Sequence, residues 1–243
     1  MAFAAGHPRS RAFAQQTSAV AAESPDELYR QREDLASAKR AAEIWTANAN
    51  TEFESAWKLA RAAYWIGGHA PQGERRAVLE RGVTAGEAAV SLKPGRPEGH
   101  YWLAADMGAL AESFGVSQGM KYRSRIKSEL EQVMAIDAAF EQASPVTALG
   151  RWYYLVPRLF GGSRSKADEH YRRTLEQFPN SVTALFFLAE SQIAQRKPAE
   201  ASQLLQRVID APVDTAWAPE IREFKHKAAE RLRTLSASGA AEP

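Results

Sequence analysis

The chain of 243 residues contains no cysteine. Disulfides, thiolate nucleophiles, zinc–cysteine sites and a lipid-modified cysteine anchor are therefore outside the reach of these residues. No stretch approaches the run of about 18 apolar residues that a membrane helix needs. Charge of one sign is also lacking: 31 basic residues stand against 29 acidic ones, a net charge of +2. That balance gives no support to nucleic-acid binding, which requires a concentrated basic surface. The five histidines are scattered with no pair at helical ligand spacing, so neither a metal nor any other cofactor is expected. Alternating apolar residues bounded by turns are missing throughout, which predicts an all-α protein.

The first 22 residues are rich in alanine and broken by Gly6 and Pro8. Arg9 and Arg11 precede Ala12–Gln15, which looks like the tail of a signal segment without its apolar middle. Residues 1–22 are read either as a disordered arm or as the remnant of such a segment. A helical domain is expected over 23–236 and a disordered tail over 237–243.

What is present is helix punctuation. Ser24-Pro25-Asp26-Glu27 reads as a capped helix start, and Leu28, Leu35, Ala38, Ala42 and Trp45 then share one helical face. Further helices are expected from about Thr51 to Ile66, ended by Gly67-Gly68, and from about Gln72 to Leu92. Pro97 opens one running to about Phe114, and another spans about Ser117 to Ile136. Two helix pairs then occupy about Ser144 to Ala211, and Pro219 opens a last amphipathic helix carrying Ile221, Phe224, Ala228, Leu232 and Leu235.

Those two pairs line up as tetratricopeptide-like repeats. Gly150 and Ala189 take the small position of the first helix, Ala167 and Ala201 that of the second. Tyr171 and Leu205 follow as large residues, and Pro179 and Pro212 stop the second helices. The register extends upstream, because Ala60, Ala104, Gly150 and Ala189 each follow a leucine: Leu59, Leu103, Leu149 and Leu188. Their separations of 44, 46 and 39 residues exceed the usual period of about 34, with the surplus placed in the turns. The expected architecture is a right-handed superhelix of four imperfect pairs with a C-terminal capping helix.

Several short patterns carry less. Ser163-Arg-Ser-Lys166 matches the Ser-x-x-Lys pattern of penicillin-interacting enzymes, but its companion patterns are absent and Ser163 suits a helix cap. The run Lys121, Arg123, Arg125 and Lys127 spreads around a helix and reads as a solvated face. Gly67–Gly73 lacks the ending of a phosphate loop and reads as a long hairpin turn. His170 is expected on the surface, and His100 on a helix that can face the groove.

In a tetratricopeptide-like pair the first helix lines the concave side, and residues two before and two after the leucine reach into it. With the neighbours Tyr64, Trp65 and Tyr154 one turn on and Thr147 in the same register, the candidate binding face is taken as Trp57, Arg61, Trp65, Tyr101, Arg151, Tyr154, Phe186 and Glu190. Aromatic walls with a few charged groups suit a peptide or small-molecule groove. Arg151 is expected either to hold a carboxylate of the partner or to pair with a carboxylate of the groove such as Glu190. No catalytic group is expected.

The stretch from Leu149 to Ala167, with Trp152-Tyr-Tyr154, Pro157, Leu159-Phe-Gly-Gly-Ser163 and Lys166-Ala167, resembles the signature of the TRAP-transporter T-component family. Arg96–Ala104 resembles that family and also the regulator-of-microtubule-dynamics proteins. Phe186–Glu190 and Ala211–Trp217 fit the same broad group. The resemblance implies a bacterial periplasmic, non-catalytic accessory that partners a solute-binding protein in uptake of a small organic or hydrophobic ligand. The alternative is a general scaffold that binds a peptide or C-terminus in its concave groove, in the periplasm or the cytoplasm. Self-association is compatible with either.

Overall fold

The computed structural model describes residues 23–239. Among them every regular element is helical. The arm of 1–22 and residues 240–243 of the expected tail lie outside the described residues.

Ser24 caps α1 (Pro25–Arg30), its Oγ accepting the Glu27 N–H at 3.4 Å. The single N-terminal helix expected from the apolar stripe is in fact two. Asp34 opens α2 (Leu35–Thr46) by accepting the N–H groups of Ala36 and Ser37 at 3.1 and 3.3 Å. A capping carboxylate offers the backbone an alternative to continuing the helix, and it frees Arg32 to turn inward. α3 (Phe53–His69) runs through Gly67-Gly68 instead of stopping there, so the connection to α4 (Gln72–Leu92) is only Ala70-Pro71. Gly67 is a packing notch: a Cβ there would lie 2.5 Å from the Leu79 side chain.

The remaining helices follow the sequence register closely. They are α5 (Pro97–Ser113), α6 (Val116–Ile136), α7 (Phe140–Leu155), α8 (Arg164–Gln177), α9 (Val182–Ala194), α10 (Pro198–Asp210) and α11 (Ala218–Gly239). Single 3-10 turns occupy Arg158–Phe160 and Thr215–Trp217. The first turn of α7 is irregular, with Glu141, Gln142 and Ala143 in the left-handed region. Its right-handed part therefore starts at Ser144. Pro179 and Pro212 fall just past the ends of α8 and α10.

Four pairs stack in order: α3 with α4, α5 with α6, α7 with α8, and α9 with α10. α11 packs on α9 and α10 as the cap. Leu59, Leu103, Leu149 and Leu188 are all buried, as are Ala60, Ala104, Ala189, Ala167 and Ala201. Each leucine contributes roughly 1.5–3 kcal/mol by leaving water. The small residues set the helix spacing. A Cβ on Gly150 would lie 2.6 Å from the Tyr171 ring, and one on Gly86 would lie 2.9 Å from the Leu103 Cα. Asp106 of α5 occupies the space opposite Gly82 of α4. Both its carboxyl oxygens are buried without a hydrogen-bond partner, and burial raises its pKa well above the usual carboxylate range.

The two ends of the stack meet. Arg32, 3 % exposed in the α1–α2 turn, donates from Nε to Glu220 Oε1 of α11 at 2.8 Å and from Nη2 to the Ala216 carbonyl at 2.8 Å. Trp65 Nε1 donates to the Arg32 carbonyl at 2.7 Å, fixing the turn on α3. Trp217 stacks against Trp102 with ring centroids 6.4 Å apart. Arg222 pairs with Glu33 at the surface, and His69 reaches Glu223 at 3.5 Å.

Three outcomes are expected. Gly150→Leu should lower stability by about 1–3 kcal/mol, because the added volume must separate α7 from α8; a denaturant midpoint equal to wild type would refute the packing assigned to that site. Arg32→Ala strands a largely buried carboxylate and should cost about 3–5 kcal/mol, whereas Arg222→Ala removes an exposed pair and should cost under about 1 kcal/mol. Equal costs in parallel urea melts would remove the special place of Arg32. The third concerns pH. The hydrogen bond to Glu223 raises the pKa of His69, and the same bond lowers that of Glu223 to about 2. The His69 contribution is complete below its ordinary 6.5 and fades as pH rises through the raised value. The Glu223 contribution is complete above its ordinary 4.5 and is lost as pH falls towards about 2. The melting-temperature difference between wild type and His69→Gln should thus be largest between about pH 4.5 and 6.5 and shrink above it.

Candidate binding groove

The first helices of the pairs, together with α6 and α11, enclose a groove of about 1620 Å³. Its floor is aromatic because α9 and α11 place phenylalanines face to edge. Phe186 and Phe187 lie 5.3 and 5.8 Å from Phe224, ring centre to ring centre. Tyr101 and Tyr64 extend this wall along α5 and α3, with Tyr64 43 % exposed. Burial pushes the Tyr101 phenol up to about 12. One lip is apolar and open to water: Val116 is 83 % exposed, and Met120, Leu155 and Phe160 stand beside it in the lining.

Charge is distributed unevenly. The lining holds five cationic side chains, Arg123, Arg151, Lys227, Arg231 and Arg233, against three carboxylates, Glu112, Glu190 and Glu230, with Lys227 paired to Glu223 outside it at 2.6 Å. Arg151 of α7 donates to Glu112 of α5 at 2.9 Å and lies 4.9 Å from the centre of the Phe187 ring. Glu190 is taken by Arg231 of α11 at 3.0 Å. Of the two alternatives for Arg151, the geometry thus shows a groove carboxylate, and it is Glu112, not Glu190.

Of the eight candidate residues, Tyr101, Arg151, Phe186 and Glu190 come together in this groove. Trp57, Arg61, Trp65 and Tyr154 do not line it. The α1–α2 segment lies over that part of α3, so the Arg61 guanidinium sits 4.2 Å from the Tyr29 ring and 4.8 Å from Trp57. Burial pulls the Arg61 pKa down, with Tyr29 and Asp26 opposing. Trp65 is buried and stacks on His69 at 3.9 Å. Tyr154 packs on the cluster of Ala167, Tyr171 and Leu188 between α8 and α9. Phe187, Phe224, Lys227 and Arg231 were absent from the candidate set. The amphipathic pattern of α11 was the available signal, but which way its stripe faces depends on how the cap docks.

The other flagged residues have structural partners. His100 is buried and bonded to Glu129 at 2.5 Å and the Pro94 carbonyl at 2.9 Å. His170, expected on the surface, is half-buried and stacks on Tyr153. Ser163 caps α8, accepting the Lys166 N–H at 3.3 Å. Arg125 pairs with Glu87 at 2.5 Å, and Lys127 pairs with Glu131. Among the described residues no group of three acidic or histidine side chains gathers as metal ligands, and no helix is long and apolar enough to cross a membrane.

Comparison places this geometry among known folds. A tetratricopeptide-repeat protein of Thermus thermophilus, TTC0263, superposes with a TM-score of 0.63 at 17 % identity, covering 86 % of this chain and 97 % of that one. MamA superposes with a TM-score of 0.48 at 19 % identity, covering 84 % and 98 %. The first likeness confirms the tetratricopeptide-like superhelix. No curated protein sequence matches. The family model for regulator of microtubule dynamics protein 1-3 matches residues 22–236, nearly the whole described chain. The chain thus belongs to the regulator of microtubule dynamics protein 1-3 family.

Proposed function

We propose that the protein is a non-catalytic interaction scaffold that holds a polypeptide segment in its concave groove. The observation that carries this is the pairing of an aromatic floor with a surplus of cations over carboxylates in the lining. Such a groove suits an extended or helical segment with apolar anchors and acidic flanking groups. The apolar side chains leave water on the Phe186–Phe187–Phe224 floor. The acidic groups meet Arg233, Arg123 and the cations already shared with Glu112 and Glu190. A general scaffold is also what the helical-repeat fold suits, since stacked pairs present an extended concave face. The narrower expectation of a periplasmic transport accessory that partners a solute-binding protein rests on the TRAP resemblance alone, and the tetratricopeptide-like fold supports the broader reading instead.

The test is a peptide panel read by fluorescence polarisation on the intact protein. Peptides with apolar residues and several Asp or Glu should bind, and the same peptides with Lys or Arg in place of the acids should not. Tyr64→Ala and Arg233→Gln alter exposed groove residues, so each should weaken binding about tenfold, or about 1.4 kcal/mol, without moving the melting temperature. Raising the salt should weaken binding further, since exposed charges are screened. Preference for basic peptides, or full binding by both variants, would overturn the reading.

A further inference from the structure

Across the lip formed by Phe160 lies a second cleft of about 530 Å³, bounded by α6, the end of α7 and the start of α8. Its ionisable lining is Arg123 and Lys127 of α6, Lys166 of α8, and a single carboxylate, Glu131, which Lys127 already holds. Arg123 and Lys166 are held differently. The Arg123 guanidinium lies 4.9 Å from the centre of the Phe160 ring and contacts Met120 Sδ at 3.5 Å. Lys166 Nζ lies 5.3 Å from the centre of the Tyr153 ring. A cation held over a ring has no counter-charge beside it and keeps most of its N–H donors free, whereas one paired with a carboxylate is balanced by it and spends donors on it.

The cleft is also rigidly built. Trp152 Nε1 donates to the Arg123 carbonyl at 2.9 Å, so the backbone that carries Arg123 is tied to α7. The Lys166 backbone is fixed by its bond to Ser163. Tyr153 is braced by stacking on His170 at 5.4 Å. The basic run on α6 and the Ser-x-x-Lys pattern at the start of α8 lie some forty residues apart, and the fold brings them to one place.

We propose that this cleft binds a phosphate monoester, and that the segment held in the groove carries it on a side chain. Arg123 and Lys166, neither held by a carboxylate, face one space and match a phosphate dianion, with Arg123 supplying a planar fork and Lys166 a point charge, while Lys127 stays with Glu131 beside them. A single carboxylate would leave most of these donors unused. The link to the groove is physical: Arg123, Trp152 and Phe160 line both the groove and the cleft. A chain lying in one reaches the other across that lip. The second half of the proposal rests on the scaffold reading; the first half stands apart from it.

The experiment separates the two. Phenyl phosphate and inorganic phosphate are titrated into the intact protein and followed by amide shifts. Saturable shifts at Gly161 and Lys166 are expected with phenyl phosphate. The double variant Arg123→Gln/Lys166→Gln should lose at least tenfold in affinity while keeping its melting temperature. Lys121→Gln, on the same helix but outside the cleft, should bind as wild type. Shifts that never saturate, or an equal loss in Lys121→Gln, would mean diffuse attraction and overturn the site. In a second arm, a groove-binding acidic peptide is compared with and without a phosphoserine. A gain of at least tenfold that vanishes in the double variant supports the link. Saturable phenyl phosphate binding without that gain would overturn the link and leave the cleft. If no peptide binds in either form, the scaffold reading fails and the phenyl phosphate arm still decides the cleft.

Discussion

The structure depends on one guanidinium that has been almost wholly withdrawn from water. Arg32 meets its carboxylate in Glu220, 188 residues further along the chain. A charge in that position is costly unless it is paired and its remaining donors are satisfied. Here the Ala216 carbonyl takes one more of them, and the Tyr29 and Trp65 rings flank the group. Stacked helix pairs ordinarily touch only their neighbours, so stability is a sum of local terms. The Arg32 pair adds a contact between first and last elements. It turns an open stack into one whose ends are tied.

That tie has consequences for the groove. α11 forms one wall of it, and its position is fixed on two sides: by packing on α9 and α10, and by the contacts of its start with the α1–α2 turn and with His69. The span between Arg231 on the cap and Glu190 on α9 is thereby set before any partner arrives. A groove with walls fixed in advance loses less freedom on binding than one assembled around its ligand. The same closure explains why α3 contributes little to the groove. Its outward aromatic residues are engaged in holding the N-terminal segment, and only Tyr64 of that cluster faces the open space.

The helical-repeat fold by itself names no partner. What distinguishes this chain is local: a phenylalanine floor, an uneven balance of charge, and cations left over rings instead of beside carboxylates. Asp106 shows the opposite case. It is buried opposite Gly82 with no partner, and burial raises its pKa well above the usual carboxylate range.

The sequence alone determined the helices and their stacking register. Small residues at Ala60, Ala104, Gly150 and Ala189 are required wherever two helices cross closely, and that need is local, so it is written in the residues themselves. Pro179 and Pro212 mark helix ends for the same local reason. The break at Asp34 was missed because the apolar stripe from Leu28 to Trp45 stays in phase across it. The glycines at 67 and 68 were misread because the stretch continues as helix, with Gly67 admitting Leu79, a contact with another helix. Half of the candidate residues line the groove: Tyr101, Arg151, Phe186 and Glu190 follow from the repeat register. The rest was decided only by tertiary structure. Trp57, Arg61 and Trp65 share that register, yet the N-terminal segment covers them, and Phe224 and Arg231 enter because the cap docks with its stripe inward. Such placements depend on contacts between residues far apart in the chain, which no local pattern encodes.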